Sequence, residues 1–384
     1  MKIGLDVSLV PGERAGGGQY AWQLARALPA VDPSTSYRLY PVFYHIVHPE
    51  YARAEFAPAP NVRVAFRRWP APLVRALWSA RTPGWVKTLA LGPVDVVHST
   101  TFCVPRLRRR TRLVVTIYDL SFVTHPEFHL PENVRHCLAG TRAAIERADA
   151  IIAISEHTRR DLVERLGAPA ERIVVTPLAA DPALKPVTDP ARRDAVRRRY
   201  RLPERFALYL GALEPRKNLL RLLEAYAALS ASLRREVGLV VAGASGWLND
   251  SVHAHVDKLG LAPAVCFAGY VAGDDVAALY SLADVFVYPS LYEGFGLPVL
   301  EAMACGAPVI ASNVASLPEV TGDAAVLVAP EDVDGIRDAL SRVLTDSALR
   351  ADLSARGLAR AAQFSWERCA RQTVAVYRSV TGAR

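Results

Sequence analysis

Residues 285–303 read Val-Phe-Val-Tyr-Pro-Ser-Leu-Tyr-Glu-Gly-Phe-Gly-Leu-Pro-Val-Leu-Glu-Ala-Met. The first four residues are β-branched or aromatic with no polar break, the pattern of a strand buried on both faces of a parallel sheet. Pro298 suits the opening of a helix, because its missing N–H is one that the first turn leaves unused and its φ is already helical. The stretch is therefore a strand, a glycine-bearing turn and a helix, the repeating unit of an open α/β sheet. Ligands of such sheets bind beyond the carboxyl ends of the strands. Glu293 lies in that turn and Glu301 about one turn inside the helix, so both carboxylates line one side of a candidate site whose floor is the bare backbone of Gly294 to Gly296.

The same unit recurs on either side. Downstream of residue 205, apolar runs at Phe206–Leu210, Leu239–Ala242, Val265–Ala268, Pro308–Ala311 and Ala325–Val328 alternate with segments of helical length. Upstream, Ile3–Val7, Tyr37–Phe43, Val62–Phe66, Val94–His98, Leu113–Ile117, Ala150–Ile154 and Ile173–Thr176 read as strands, with helices that include Gln19–Leu28 and Glu132–Arg147. Between the two series lies a charged, proline-bearing stretch with no strand signal. The expected organisation is an α/β protein of two doubly wound, Rossmann-like domains facing across a cleft: residues 1–185, a linker at 186–204, residues 205–364, and a closing helix over 365–384 that folds back on the first domain. A length of 384 residues is ample for two hydrophobic cores.

Composition excludes several classes. Apolar residues make up 51% and charged residues 22%, which rules out a disordered or low-complexity chain. The five cysteines are widely spaced and form no C-x-x-C, so neither a disulfide framework nor a structural zinc site is indicated, and a reducing cytoplasm fits. Asp6 and the Pro11-Gly12-Glu13-Arg14 stretch interrupt any leader-like apolar run, and no stretch reaches the roughly 18 apolar residues of a membrane span.

The net charge of +8 is concentrated: residues 51–120 hold twelve Arg or Lys against three Asp or Glu, a local balance of +9. Arg67, Arg68, Arg75 and Arg81 are interleaved with Trp69, Trp78 and Trp85, and Arg106, Arg108, Arg109, Arg110 and Arg112 follow. Interleaved Trp and Arg suit an anionic lipid-linked substrate or an anionic membrane face, the latter placing the protein peripherally at the inner side of the plasma membrane. A solvated basic surface is the equal alternative. No nucleic-acid-binding module is recognisable.

Two more turns stand where chemistry belongs. Gly16-Gly17-Gly18, between the first strand and first helix, lets backbone approach a ligand ahead of a positive helix end. It reads equally as a flexible turn. Its spacing is not the G-x-G-x-x-G dinucleotide fingerprint. Gly211-Ala212-Leu213-Glu214-Pro215-Arg216-Lys217-Asn218 follows the first strand of the second domain, and an Arg-Lys pair there can hold and neutralise a diphosphate. The chain has only five lysines, which weakens the reading of Lys217 as an incidental surface charge.

Taken together, "GALEPRKNLLRLLEAY" at 211–226, the glycine and tryptophan of "VVAGASGW" at 240–247, "YPSLYEGFGLPVLEAMACGAPVIAS" at 288–312 and "LPEVTGDAA" at 317–325 resemble the retaining glycosyltransferases of the GT-B fold, family four. The similarity runs from the glycine turn to "FSWERCARQTVAVYR" at 364–378. It implies transfer of a hexose from a nucleotide diphosphate sugar to a glycan or lipid-linked acceptor, with retention of configuration, no cofactor and no bound metal. Arg216 and Lys217, after Gly211, would hold the diphosphate, Glu301 the ribose, and Glu293 with the Gly294-Phe295-Gly296-Leu297 turn the transferred sugar. Gly16 and Gly17 would approach phosphate and sugar from the first domain. One position departs from the pattern: where the family usually has His-Asp, this chain has Tyr118-Asp119, so a phenol that cannot become cationic would donate to a sugar hydroxyl. The motifs look most like bacterial mannosyltransferases of O-antigen and other surface polysaccharides, which points to GDP-mannose.

Competing signals are weaker. His125 and His129 flank Pro126, which opposes one continuous helix. Asp332-x-Asp334, after Pro330, suits helix capping better than a metal. A sugar nucleotide isomerase or phosphorylase of the same shape, or a non-catalytic nucleotide- or glycan-binding protein, remains the alternative.

Overall fold

A computed structural model describes residues 1–10, 16–40, 56, 59–65, 86, 92–107, 110–243 and 249–382. The chain divides into two compact units: residues 1–178 with 365–384, and residues 179–364.

In the first unit the described strands are β1 (Lys2–Asp6), β2 (Ser36–Tyr40), β3 (Val62–Val64), β4 (Val96–Ser99), β5 (Arg112–Ile117), β6 (Ala150–Ala153) and β7 (Ile173–Val175). They form one parallel sheet in the order β3-β2-β1-β4-β5-β6-β7. The apolar runs explain its centre: every residue of β4 and β6 is buried, because helices cover both faces. The direction of winding reverses between β1 and β4, and their carboxyl ends form the switch point of this unit.

The closing helix, Trp366–Thr381, packs on helix Gly17–Val31 within the same unit. A buried polar chain keys it in place. His98, on β4, meets the Tyr377 hydroxyl through Nδ1 at 2.7 Å and Thr116 Oγ1 through Nε2 at 2.8 Å. Thr116 in turn lies 3.0 Å from the Tyr20 hydroxyl. Burial pushes the imidazole pKa down to about 3, so it is neutral, with one ring nitrogen donating and the other accepting.

The second unit holds β8 (Phe206–Leu210), β9 (Gly238–Ala242), β10 (Val265–Gly269), β11 (Val285–Tyr288), β12 (Val309–Ser312) and β13 (Val326–Val328). These form a parallel sheet in the order β10-β9-β8-β11-β12-β13, whose switch point lies between β8 and β11. Pro308 falls just outside β12, as a residue without an N–H does at the start of a strand.

Residues 186–204, expected to be a linker, are instead built into the second unit. Asp189 caps helix Pro190–Arg199 through Ala191 N at 3.0 Å, and Val196 is buried. Arg192 and Arg199 reach the buried carboxylate of Asp275 at 2.6 and 3.0 Å, and the Tyr200 hydroxyl donates to it at 2.9 Å. The helix is therefore packed against helix Gly273–Leu282, and the unit begins at Ala179.

Candidate active site

The two turns at the switch point of the second unit are tied together by their main chains: Leu291 N donates to Arg216 O at 2.9 Å. The turn after β8 ends in a single 3-10 turn, Pro215–Lys217, followed by Asn218 in the left-handed region with φ 60°. Asn218 Nδ2 donates to the carbonyls of Pro289 at 2.9 Å and Pro330 at 2.6 Å, fixing the start of helix Leu219–Ala227. The approach is close at Gly243 as well, where a Cβ would fall 2.0 Å from Gly211 O.

Within this frame Arg216, Lys217 and Glu293 converge. Lys217 Nζ lies 2.6 Å from Glu293 Oε1 and donates to the Tyr288 hydroxyl at 2.5 Å. Arg216 Nη1 sits 3.1 Å from Glu293 Oε2 and donates to Tyr292 O at 2.8 Å. Ser290 Oγ donates to Glu293 Oε1 at 2.6 Å, and Ser316 Oγ donates to the Glu293 carbonyl at 2.8 Å. Burial would raise the Glu293 carboxyl, but Arg216, Lys217 and the two hydrogen bonds outweigh it and hold the pKa at about 2. Burial, then Arg216, pull the Lys217 ammonium down, and Glu293 and Glu214 oppose them. The carboxylate expected to receive a sugar thus has Oε1 occupied by two donors and Oε2 facing Arg216 Nη1 alone among the contacts described above.

Glu301 differs. It stands half-buried on helix Leu297–Ala304, with the Tyr280 hydroxyl at 3.5 Å as its hydrogen-bond partner. Burial first, and then the charge of Asp181, push its pKa up to about 7. Gly296 caps the helix with φ 98°, where a Cβ would meet Leu317 Cδ2 at 2.5 Å, so only glycine fits the turn. Gly294 is buried beside it. Phe295 is 3% exposed and its ring packs edge-on against Phe364, which assigns the side chain to the core and leaves only its backbone to a ligand. Leu297 is half-buried at the first helical position.

In the first unit, Gly16 begins helix Gly17–Val31 with φ 51° and open space where a Cβ would point. Gly17 is pressed between Leu9 and Tyr118, at 2.8 and 3.1 Å from a would-be Cβ. The Tyr118 hydroxyl donates to Thr100 O at 2.8 Å. With its proton on this carbonyl, the phenol oxygen is left to accept, whereas donation to a sugar hydroxyl, the expected role, would require the hydroxyl to turn away from Thr100. Burial, and then the Asp6 charge, push its pKa above the ordinary phenol range, so it is neutral. Asp119 is likewise engaged locally, since its Oδ1 accepts from Ser121 N at 2.8 Å and Ser121 Oγ at 2.7 Å and so opens helix Ser121–Thr124.

Several neighbours of the candidate site residues escaped sequence reasoning. Tyr288, Ser290 and Asn218 lie inside the quoted motifs but carry no separate signal, and Ser316 and Tyr280 approach from distant positions. Asp6, 1% exposed at the end of β1, accepts from Ser8 N at 2.9 Å and Thr101 Oγ1 at 3.0 Å, and burial raises its pKa to about 6.

Other signals resolve as local structure. Asp332 caps helix Val333–Thr345 through Gly335 N at 2.9 Å. His125 pairs with Glu127 and His129 with Ser121 Oγ, on either side of a 3-10 turn. Among the described residues no group of His, Cys, Asp and Glu is placed to hold a metal, and no helix is long and apolar enough to cross a membrane. Arg67, Arg68, Arg75, Trp69, Trp78, Arg81, Trp85, Arg108 and Arg109 lie outside the described residues. Of that basic series Arg106, Arg110 and Arg112 are described and exposed, and Arg112 pairs with Asp149 at 2.8 Å.

Two family models match the chain: Glycosyltransferase Family 4 over residues 14–184 and Glycosyl transferases group 1 over residues 193–360. Among known proteins, it is 40% identical over 284 residues to O-antigen chain mannosyltransferase B of Escherichia coli, covering 74% of each. It is 36% identical over 272 residues to the serotype-specific mannosyltransferase WbdA of Escherichia coli, covering 70% of this chain and 33% of that one, so it matches about a third of the longer protein. Among solved structures, sucrose-phosphate synthase from Thermosynechococcus elongatus superposes with a TM-score of 0.78 over the full length of both chains at 24% identity, a likeness of fold.

Proposed function

The chain belongs to glycosyltransferase family 4, with the GT-B class of two doubly wound domains, and from that premise we propose that it transfers mannose from GDP-mannose, with retention of configuration, to a glycan or lipid-linked glycan of a bacterial surface polysaccharide. The observation that carries this reading is the cluster of Arg216, Lys217 and Glu293 at the switch point of the second unit, where open α/β sheets bind ligands. The similarity to O-antigen mannosyltransferases supports the choice of sugar.

In this reading the ammonium of Lys217 and the guanidinium of Arg216 hold the diphosphate oxygens. As the sugar–oxygen bond breaks, negative charge grows on the leaving diphosphate, and oriented cations out of water stabilise it by about 3 kcal/mol each. Glu293 keeps both cations aimed and offers Oε2 to a sugar hydroxyl. Glu301 accepts from the ribose hydroxyls, a role suited to a carboxylate with one long hydrogen bond of its own. The acceptor hydroxyl attacks from the face that the diphosphate leaves and gives its proton to a departing phosphate oxygen, which preserves configuration and balances the step, and the charge is met by side chains without a metal.

Incubation with GDP-, UDP-, ADP- and dTDP-sugars, with and without lipid-linked acceptors, tests this. Release of GDP that depends on both GDP-mannose and acceptor is expected. Conversion of a donor without acceptor would instead identify an isomerase, and binding without turnover a non-catalytic protein.

We further propose that the basic, tryptophan-bearing sequence at 67–112 docks the enzyme peripherally on anionic membrane. Sedimentation with anionic but not neutral vesicles, weakened by salt, is the expected result. Equal sedimentation with both lipids would make this a solvated basic surface.

A further inference from the structure

We propose that Glu214 is a displaceable counter-ion of the diphosphate site: it occupies Arg216 in the free protein, gives way to the donor's diphosphate, and returns to expel the nucleoside diphosphate product. This role rests on the proposed binding of the donor by Arg216 and Lys217, and it adds a residue to that site.

Charge sets the problem. Arg216 and Lys217 carry two positive charges, and Glu214 and Glu293 carry two negative ones within the same set of ion pairs. A diphosphate arriving at this cluster meets cations whose charge is already matched, so electrostatic attraction alone cannot hold it unless one carboxylate withdraws.

The two carboxylates are not equivalent. The Glu293 side chain is 8% exposed and receives Lys217, Arg216 and Ser290, while its carbonyl is held by Ser316. Removing it would strand a buried ammonium. The Glu214 side chain is 27% exposed and uses a single oxygen, Oε1, at 2.7 Å from Arg216 Nη2 and 4.0 Å from Lys217 Nζ. Its backbone is extended, with φ −126° and ψ 152°, just ahead of the 3-10 turn, so a change of side-chain rotamer frees it without moving the loop. A partly solvated, single-oxygen pair is weak. Glu293 Oε2 lies 3.1 Å from Arg216 Nη1, whereas Glu214 Oε1 meets the guanidinium at Nη2. A phosphate oxygen placed there replaces one acceptor by another and leaves Glu293 undisturbed.

Isothermal titration of wild type, Glu214→Gln and Glu214→Ala with guanosine, GDP and inorganic diphosphate at fixed ionic strength tests the proposal. Both variants are expected to bind GDP and diphosphate about fivefold more tightly, the effect of one unit charge near 4 Å in a watery setting, with guanosine unchanged. In turnover, the same variants should show correspondingly stronger inhibition by GDP. Weaker GDP binding in Glu214→Gln would overturn the proposal, since it would mean that Glu214 merely positions Arg216, and so would an equal gain for guanosine. Tightened diphosphate with no GDP binding in any form would support the counter-ion and refute the donor reading.

Discussion

Lys217 Nζ and Glu293 Oε1 lie 2.6 Å apart, and this buried pair joins the turn after β8 to the turn after β11. Parallel strands meet at this point without a hairpin, so the pair acts beside the main-chain bond from Leu291 N to Arg216 O in fixing the distance between the turns. Removing one partner of a buried pair leaves the other charge unmatched, at a cost of about 3 kcal/mol or more. Here Arg216 still faces Glu293, which softens the loss. Lys217→Ala should therefore destabilise the protein by about 2–3 kcal/mol at pH 7 in urea unfolding. A loss below about 0.5 kcal/mol would show that the pair is not what fixes the turns.

In its proposed role at the ribose, Glu301 would make nucleotide binding pH-dependent. Its pKa of about 7 lies above the ordinary value of 4.5, so the folded protein takes up a proton that the unfolded chain releases. Folding stability from this group therefore falls as pH rises from about 4.5 to 7, while the carboxylate proposed to accept ribose hydroxyls becomes available over the upper part of that window. Affinity for GDP should rise between pH 6 and pH 8, and the rise should be lost in Glu301→Gln. A pH-independent wild-type affinity would remove Glu301 from the ribose.

Tyr118→Phe should cost about 1 kcal/mol of stability, because the Thr100 carbonyl loses its donor. The ring keeps its edge contact with Tyr20 and its packing on Gly17, so the fold persists. Turnover should fall only to the extent that the sugar donates to the phenol oxygen, with GDP affinity unchanged. Thermal unfolding alongside kcat and KM separates these effects, and a variant as stable as wild type would contradict the hydrogen bond.

The sheets were legible because strands such as Ala150–Ala153 and Val285–Tyr288 are continuously apolar, a pattern that needs no knowledge of distant contacts. The positions of Glu293 and Glu301 followed in the same way, since Pro298 and Gly296 fix where the helix starts. What stayed hidden depends on long-range partners. Helix Pro190–Arg199 looks like a solvated linker helix, since it buries only Val196 and its anchoring carboxylate, Asp275, is far along the chain. Nothing near Tyr118 indicates that its proton goes to the Thr100 carbonyl. Nor does the motif around Arg216 reveal that Glu214 and Glu293 already match its charge and that of Lys217.

In the proposed reaction Arg216 and Lys217, rather than a metal, carry the charge of the leaving diphosphate. This role is tested most directly by acceptor-dependent GDP release from GDP-mannose in excess EDTA, comparing wild type with a folded Arg216→Ala/Lys217→Ala double variant. Wild-type turnover unaffected by EDTA, and a loss of about 100-fold or more in the variant, are expected. Loss of wild-type activity in EDTA with recovery on adding Mg²⁺ or Mn²⁺, or undiminished turnover in the double variant, would contradict it.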